Sequence, residues 1–309
     1  MKLNRLLLFT LIAVLGFSQW LSAQTISREE LVFLTSEWKG ERFPDGRPKI
    51  PDDLLQRARK IGIDDAWTVL KNEGYTNQYE GNWKMVHPDV PVVGRALTAM
   101  FMPSRPDVEK IVKERGNAGG RKGNTNSWPI EMLSQGDVYV ADGFGKISSG
   151  TLMGATLATS IFSKSGNGVV FNGSARDLES IKELKGFNAF VRDFHPSFLE
   201  EMVVMGLNTP IRIGGVMVLP GDLVIAKEEG VLFVPAHLAE QVVSTAEFVS
   251  LKDMFGFEMV RTKRYSTGEI DSQWTDPIKK DFLDWLGQHP ELGAMTPEQL
   301  DAVLSKRTW

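Results

Sequence analysis

Arg176 and Asp177 stand side by side in "GVVFNGSARDLES", just after a short apolar run and a Gly turn. A guanidinium beside a carboxylate has two readings. It is an ordinary solvated pair, worth under about 1 kcal/mol, or it is two tools of one site. In the second reading the planar fork of Arg176 clamps a carboxylate. Asp177 then supplies the hard oxygen that Mg2+ or Mn2+ prefers over softer metals. A small 2-oxo acid needs both, because its carboxylate and keto oxygen chelate a metal that stabilises an enolate.

A second feature lies upstream. "VYVADGFGKISSGTLMGATLATS" reads as strand, Gly-rich turn and helix. The helix start near Gly154 carries free backbone N–H groups, which favour an anion. In an α/β sheet both turns can lie at one edge of neighbouring strands, where sites collect. Rival chemistries find little support. The chain has no Cys, which removes thiol nucleophiles, Cys-bound zinc, disulfides and a lipid-anchored Cys. No G-x-S-x-G elbow or P-loop is present, and Gly143 and Gly145 in "DGFGKISSG" lack the third Gly and distal acid of a dinucleotide site. His87, His195, His237 and His289 lie far apart with no second ligand at helical spacing, and read as structural or surface residues.

The elements that must position the pair follow from periodicity. "VPVVGRALTAMFM", "GDVYVADG", "GVVFNG", "FNAFVRD", "IRIGGVMVLPGDLVIA" and "GVLFVP" are short β-rich runs bounded by Gly, Pro and Asp. Helical patterns separate several of them: "RPDVEKIVKER", "TLMGATLATSIFSK", "DLESIKELKG" and the long amphipathic "PAHLAEQVVSTAEFVSLKDMF". Strands alternating with helices predict an α/β domain over residues 90–250. Residues 24–89 read as a helical and loop extension, with helices opened by Asp52 and Asp53 and by Asp64 and Asp65. Residues 251–309 read as a second helical extension, in which "DPIKKDFLDWLGQHP" aligns Ile278, Phe282 and Trp285, and Thr296 with Gln299 form a capping-box pattern.

At the start, Lys2 and Arg5 precede the apolar run Leu6 to Phe17, with Ala23 as a small-residue exit. This predicts a signal peptide over residues 1–23 and an exported protein, periplasmic or secreted, with no membrane association after its removal. Lys+Arg 35 against Asp+Glu 39 gives a formal charge of -4, and no basic surface for nucleic acid or anionic lipid is expected. A small-molecule or protein partner fits better.

The residues "GDVYVADGFG…MGATLA…GVVFNGSARDLESIKEL…FNAFVRDFHP…GVMVLPGDLVIAKEEGVLFVP" resemble the family of the regulator of ribonuclease activity A. That family includes the class II 4-hydroxy-4-methyl-2-oxoglutarate aldolases. The resemblance spans roughly 90–240. It implies a swivelling α/β/α sandwich, assembled as a homotrimer or homohexamer. It also implies Mg2+ or Mn2+ on Asp177, a substrate-binding and catalytic Arg176, and an oxo-acid carboxylate held by the amides of Gly154, Ala155, Thr156 and Leu157. Two positions depart from the aldolase pattern. An acid that holds a water for proton transfer is replaced by Ala155, and a second acid by Ser180. Metal and oxo-acid binding therefore survive better than proton transfer. Two functions follow: a metal-dependent carbon–carbon lyase, or an exported binding or scaffold protein that has lost catalysis. A further possibility is that Trp67, Tyr75, Asn77, Gln78, Tyr79 and Trp83 re-aim the pocket toward a larger acid.

Overall fold

The computed structural model describes residues 24–305; the expected signal peptide, residues 1–23, lies outside the described residues. In chain order the elements are α1 (Arg28–Leu34), α2 (Asp52–Ala58), α3 (Ile63–Asn72), β1 (Tyr79–Glu80), β2 (Lys84–Met85), β3 (Val92–Pro103), α4 (Pro106–Ala118), β4 (Asp137–Asp142) and β5 (Thr151–Met153). Then follow α5 (Ala155–Ser165), β6 (Val169–Ala175), α6 (Leu178–Lys182), β7 (Ala189–Phe194), β8 (Met202–Leu207), β9 (Ile211–Ile213), β10 (Val216–Val218), β11 (Leu223–Lys227) and β12 (Gly230–Val234). The chain continues with α7 (Ala239–Arg261), α8 (Thr267–Ile270), α9 (Asp276–Gln288) and α10 (Pro297–Leu304).

The expected mixed α/β class is the one that forms. Strands β3, β4, β6 and β7 run parallel, and β11 and β12 extend the sheet antiparallel beyond β3. The Val-rich runs of β4 and β6 are buried on both faces, as interior parallel strands require. On one face, Val93, Leu97, Tyr139 and Phe171 meet the helices. On the other, Val92, Ala96, Val138, Val170 and Phe190 pack with Ile211, Ile213, Val216 and Val218 of the β9–β10 hairpin. That second layer is a hairpin, and its residues alternate with the helix-facing ones as a period of two dictates.

Strand β1 pairs with β12 at one end of the sheet, and β2 pairs with β7 at the other. Only residues 81–83 separate them, a reach of at most about 14 Å. The two edges are therefore drawn together and the sheet curls around the hairpin. Residues 24–89 thus enter the core, and Leu54, Leu55, Ala66 and Leu70 of α2 and α3 pack on β11, β12 and α7. Arg47 is buried and bonds Asp137 at 3.1 Å and Asp45 at 2.8 Å; Arg95, also buried, donates to the carbonyls of Ile50 and Gln135. These guanidiniums pin residues 45–52 to β3 and to the start of β4. At the other terminus, α7 joins α9 through Phe255 and Phe282, whose ring centroids lie 5.4 Å apart. The capping box at Thr296 and Gln299 forms as expected.

Asp222 opens β11 in a tight turn and accepts a hydrogen bond from the Leu219 N–H at 2.8 Å. Burial pushes its carboxyl up to about 7. Because the folded state holds this proton more tightly than the unfolded chain, stability falls as pH rises from about 4 to about 7, at up to about 1.4 kcal/mol per pH unit. Asp222→Asn removes that proton from the balance. Thermal midpoints measured from pH 4 to 8 are expected to slope less in the variant than in the native chain, and equal slopes refute the assignment.

Candidate functional site

Parallel pairing brings the two turns together. Strand β5 runs beside the end of β6, with Thr151 opposite Ser174 and Met153 opposite Ala175. The Arg176 N–H donates to the Met153 carbonyl at 2.9 Å. Gly154, at the N-cap of α5, therefore faces the Arg176–Asp177 turn directly. Asp177 sits in the left-handed region at φ 59° and ψ 39°, a conformation that a short polar side chain tolerates better than most. That turn swings its carboxylate back over the helix start, where Oδ2 accepts the Ala155 N–H at 3.0 Å.

Arg176 and Asp177 do not form a tight ion pair, since the Arg176 Nε lies 3.8 Å from the Asp177 Oδ2. Both side chains are part-exposed, at 33% and 40%. The Arg176 guanidinium instead lies over the Phe198 ring, 4.4 Å from its centroid, which fixes its plane and leaves its fork available. Around the pair is a cleft of about 310 Å3, lined also by Asn124, Asn126, Ser127, Thr151 and Phe198. Helix geometry leaves the amides of Thr156 and Leu157 without intrahelical acceptors.

Every site residue expected from the sequence gathers here, with one refinement. Gly154, Thr156, Leu157, Arg176 and Asp177 line the cleft. Ala155 offers no free amide, because Asp177 already engages it. Sequence reasoning missed Phe198 and the loop residues Asn124, Asn126 and Ser127. The amide-rich "GNTNSW" between glycines was the available signal for the loop; Asn126 anchors it by donating to the Leu152 carbonyl at 2.8 Å. Phe198 had no signal, since only the fold brings it to Arg176.

The aromatic segment does not reach this cleft. Tyr75 and Gln78 line a different cavity of about 260 Å3, with Trp38, Met217 and His237. Trp67 packs against the α2–α3 core. Trp83 stacks on Arg192 at 3.9 Å, and the Tyr79 hydroxyl donates to the Glu229 carbonyl. Within one copy of the chain, none of Trp67, Tyr75, Asn77, Gln78, Tyr79 and Trp83 lines the Arg176 cleft.

A Cβ on Gly154 would stand 2.5 Å from the Asp177 Oδ2 and 3.0 Å from the Arg176 Nε. Both obstacles are ends of side chains that can move, so Gly154→Ala should fold while pushing the pair apart. Calorimetric affinity for pyruvate in the presence of Mn2+ is expected to fall about tenfold or more, equivalent to ~1.4 kcal/mol. Gly215→Ala, which meets open space, is the control. Equal affinities in the two variants would show that the close approach at Gly154 does not shape the site.

Known proteins share sequence and fold with this chain. The family model described as RraA-like, aldolase/RraA, matches residues 61–233, more than half of the chain. An uncharacterized protein of Methanocaldococcus jannaschii, MJ0644, is 30% identical over 202 residues, covering 63% of this chain and 88% of its own. The 4-hydroxy-4-methyl-2-oxoglutarate aldolase of Thermus thermophilus is 33% identical over 107 residues, 34% of this chain. That match takes in 63% of the aldolase, less than two thirds of its length. Among solved structures, Streptomyces coelicolor RraAS2, an unusual member of the RNase ES inhibitor RraA protein family, superposes with a TM-score of 0.56. It is 26% identical, and the superposition covers 70% of this chain and all of RraAS2. From its strands to its Arg–Asp turn, this chain belongs to the RraA-like family, the family of aldolase/RraA proteins.

Proposed function

We propose that this chain is a divalent-metal-dependent carbon–carbon lyase of the pyruvate-aldolase kind. It would cleave a 4-hydroxy-2-oxo acid, or decarboxylate a 2-oxo diacid such as oxaloacetate. The observation that carries the reading is the convergence of a free arginine fork, a carboxylate and two unengaged helix-start amides on one small cleft. The relatives named as aldolases support the reaction class.

Among the described residues no three His, Cys, Asp or Glu side chains gather as a metal cage. A single carboxylate still fits the implied ion, because Mg2+ keeps several waters and completes its shell with substrate oxygens. Asp177 engages its Oδ2 with the Ala155 amide and keeps Oδ1 for that purpose. Bound there, Mg2+ or Mn2+ would supply Lewis-acid polarisation of the 2-oxo group. Arg176 holds the substrate and stabilises negative charge developing on its oxygen, an electrostatic contribution fixed in place by Phe198. The Thr156 and Leu157 amides receive the carboxylate. Ala155 provides no proton acceptor, so the proton must pass to water, to the exposed Thr156 or Glu179 side chains, or to a group from a second copy. We place the protein outside the cytoplasm, on its first 23 residues, and expect a homotrimer or homohexamer.

Ala155 also favours a second reading, an exported binding or scaffold protein with the pocket retained and turnover lost. Pyruvate release from 4-hydroxy-2-oxo acids and oxaloacetate, with and without Mn2+, separates the two. Metal-dependent release that Asp177→Ala lowers by about a hundredfold or more, on the order of 3 kcal/mol, is the expected result. Turnover undiminished in Asp177→Ala removes the assigned metal role. Silence in the native chain with activity gained by Ala155→Asp establishes the binding reading instead.

A further inference from the structure

The loop after β7 lays Phe198 against Arg176, and it carries a second group close to the cleft. His195, which the sequence alone marks as structural or surface, is half-buried at the start of that loop. Its Nδ1 lies 2.9 Å from the Ser197 Oγ, which lies 3.2 Å from the Thr151 Oγ1. Thr151 in turn lines the cleft of Arg176 and Asp177. A hydrogen-bonded row thus runs from the cleft wall to an imidazole. The backbone fixes its direction. The Ser197 N–H donates to the His195 Nδ1 at 3.2 Å, so in the neutral ring that nitrogen holds the lone pair and Nε2 the proton. The Ser149 N–H donates to the Ser197 Oγ at 2.8 Å, and the Ser197 hydroxyl proton is left to point at Nδ1. Ser174 spends its own proton on the Ile147 carbonyl at 2.7 Å. The Thr151 proton is therefore shared between the Ser174 and Ser197 oxygens, each 3.2 Å away. Holding the loop against β5 requires only the bonds of Ser197 to Ser149 and Thr151, and leaves the imidazole unexplained.

We propose that Thr151, Ser197 and His195 form a proton relay for the cleft, with His195 as its terminal base. The inference rests on the lyase reading and supplies what Ala155 lacks there. In cleavage of a 4-hydroxy-2-oxo acid, the 4-hydroxyl proton leaves to a cleft water, and that water passes a proton to Thr151. Thr151 passes its own proton to Ser197, and Ser197 passes its own to Nδ1, which becomes an imidazolium. The electron pair freed on the 4-oxygen forms the aldehyde C=O, the C3–C4 bond breaks, and its pair becomes the enolate of pyruvate. The imidazolium then returns a proton to C3 along the same row, so none is gained or lost overall. Water alone is a weak final acceptor near neutral pH, whereas imidazole is the side chain best matched to it. Asp193 interacts electrostatically with His195 and favours its charged form, although Lys84 shares that carboxylate at 2.6 Å.

Exchange of the pyruvate methyl protons in D2O, followed by proton NMR with Mg2+, reads the proton step without requiring carbon–carbon cleavage. The native chain is expected to exchange them. His195→Ala should slow the exchange by about a hundredfold, a loss in the range of general acid–base catalysis. Its calorimetric affinity for pyruvate with Mg2+ should stay the same. Imidazole added to that variant should restore exchange, which a mere loss of loop structure would not allow. Thr151→Val should slow exchange comparably, and Thr151→Ser, which returns the hydroxyl, should regain most of it. Exchange that is undiminished in His195→Ala, lost together with affinity, or not restored by imidazole overturns the relay and leaves the lyase reading standing. A native chain that binds pyruvate without exchanging its protons also refutes the relay, and favours the binding reading. A native chain that neither binds nor exchanges pyruvate removes the lyase reading itself, and the relay with it.

Discussion

The site depends on a single close approach, between the backbone of residue 154 and the side chains of Arg176 and Asp177. A Cβ at position 154 would overlap the Asp177 Oδ2. Only a glycine lets the Arg176 and Asp177 side chains keep these positions against the start of α5. The consequence is electrostatic as well as steric. The Asp177 carboxylate accepts a bond from the first helical N–H, where the helix dipole favours negative charge. Arg176 is held near, but not locked to, its neighbour. A tight Arg–Asp pair would neutralise the tools it is made of. Spacing of 3.8 Å, with Phe198 beneath the guanidinium, keeps both groups available for a third partner.

Everything behind that contact serves to hold two parallel strands in register. Strand β5 is only three residues long, and it ends one residue before the helix. Its position relies on its pairing with β6 and on Asn126, which bonds the Leu152 carbonyl from the side. The Asn172 carbonyl accepts both the Gly143 and the Gly145 amides, clamping the Gly-rich turn that leads into β5. That turn has a structural purpose, and no phosphate is needed to account for its glycines. Farther away, buried Arg47 and Arg95 fasten the N-terminal segment beneath β3 and β4. Removing one partner of such a buried pair leaves a stranded charge, at a cost of about 3–5 kcal/mol.

Legibility in the sequence followed the physics of each element. The interior strands were visible because parallel strands buried on both faces are nearly continuous apolar runs. The long α7 and the capping box at Thr296 were visible because their signals are local. Two-residue β1 and β2 were not, since they exist only by pairing with β12 and β7 across the closing sheet. Strand β8, "MVVMGL", carries an apolar run that its neighbours do not distinguish from a buried helix turn. The site shows the same division. Gly154, Arg176 and Asp177 lie in strand–turn–helix grammar that sequence displays. Phe198 arrives from a loop beyond β7, and no spacing rule connects position 198 to position 176.

Ala155 is the residue through which these constraints meet the chemistry. Its N–H already holds Asp177, so a carboxylate on its side chain would be placed beside a carboxylate that its own backbone attracts. Two like charges at that range raise the pKa of one of them, which is how a proton-transfer group is made. With alanine there, no such carboxylate stands beside Asp177. Any catalysis must draw its proton acceptor from water or from residues outside this turn. On the proposed lyase reading, the groups that bind and the group that moves the proton are therefore separate, and the methyl of Ala155 marks the line between them.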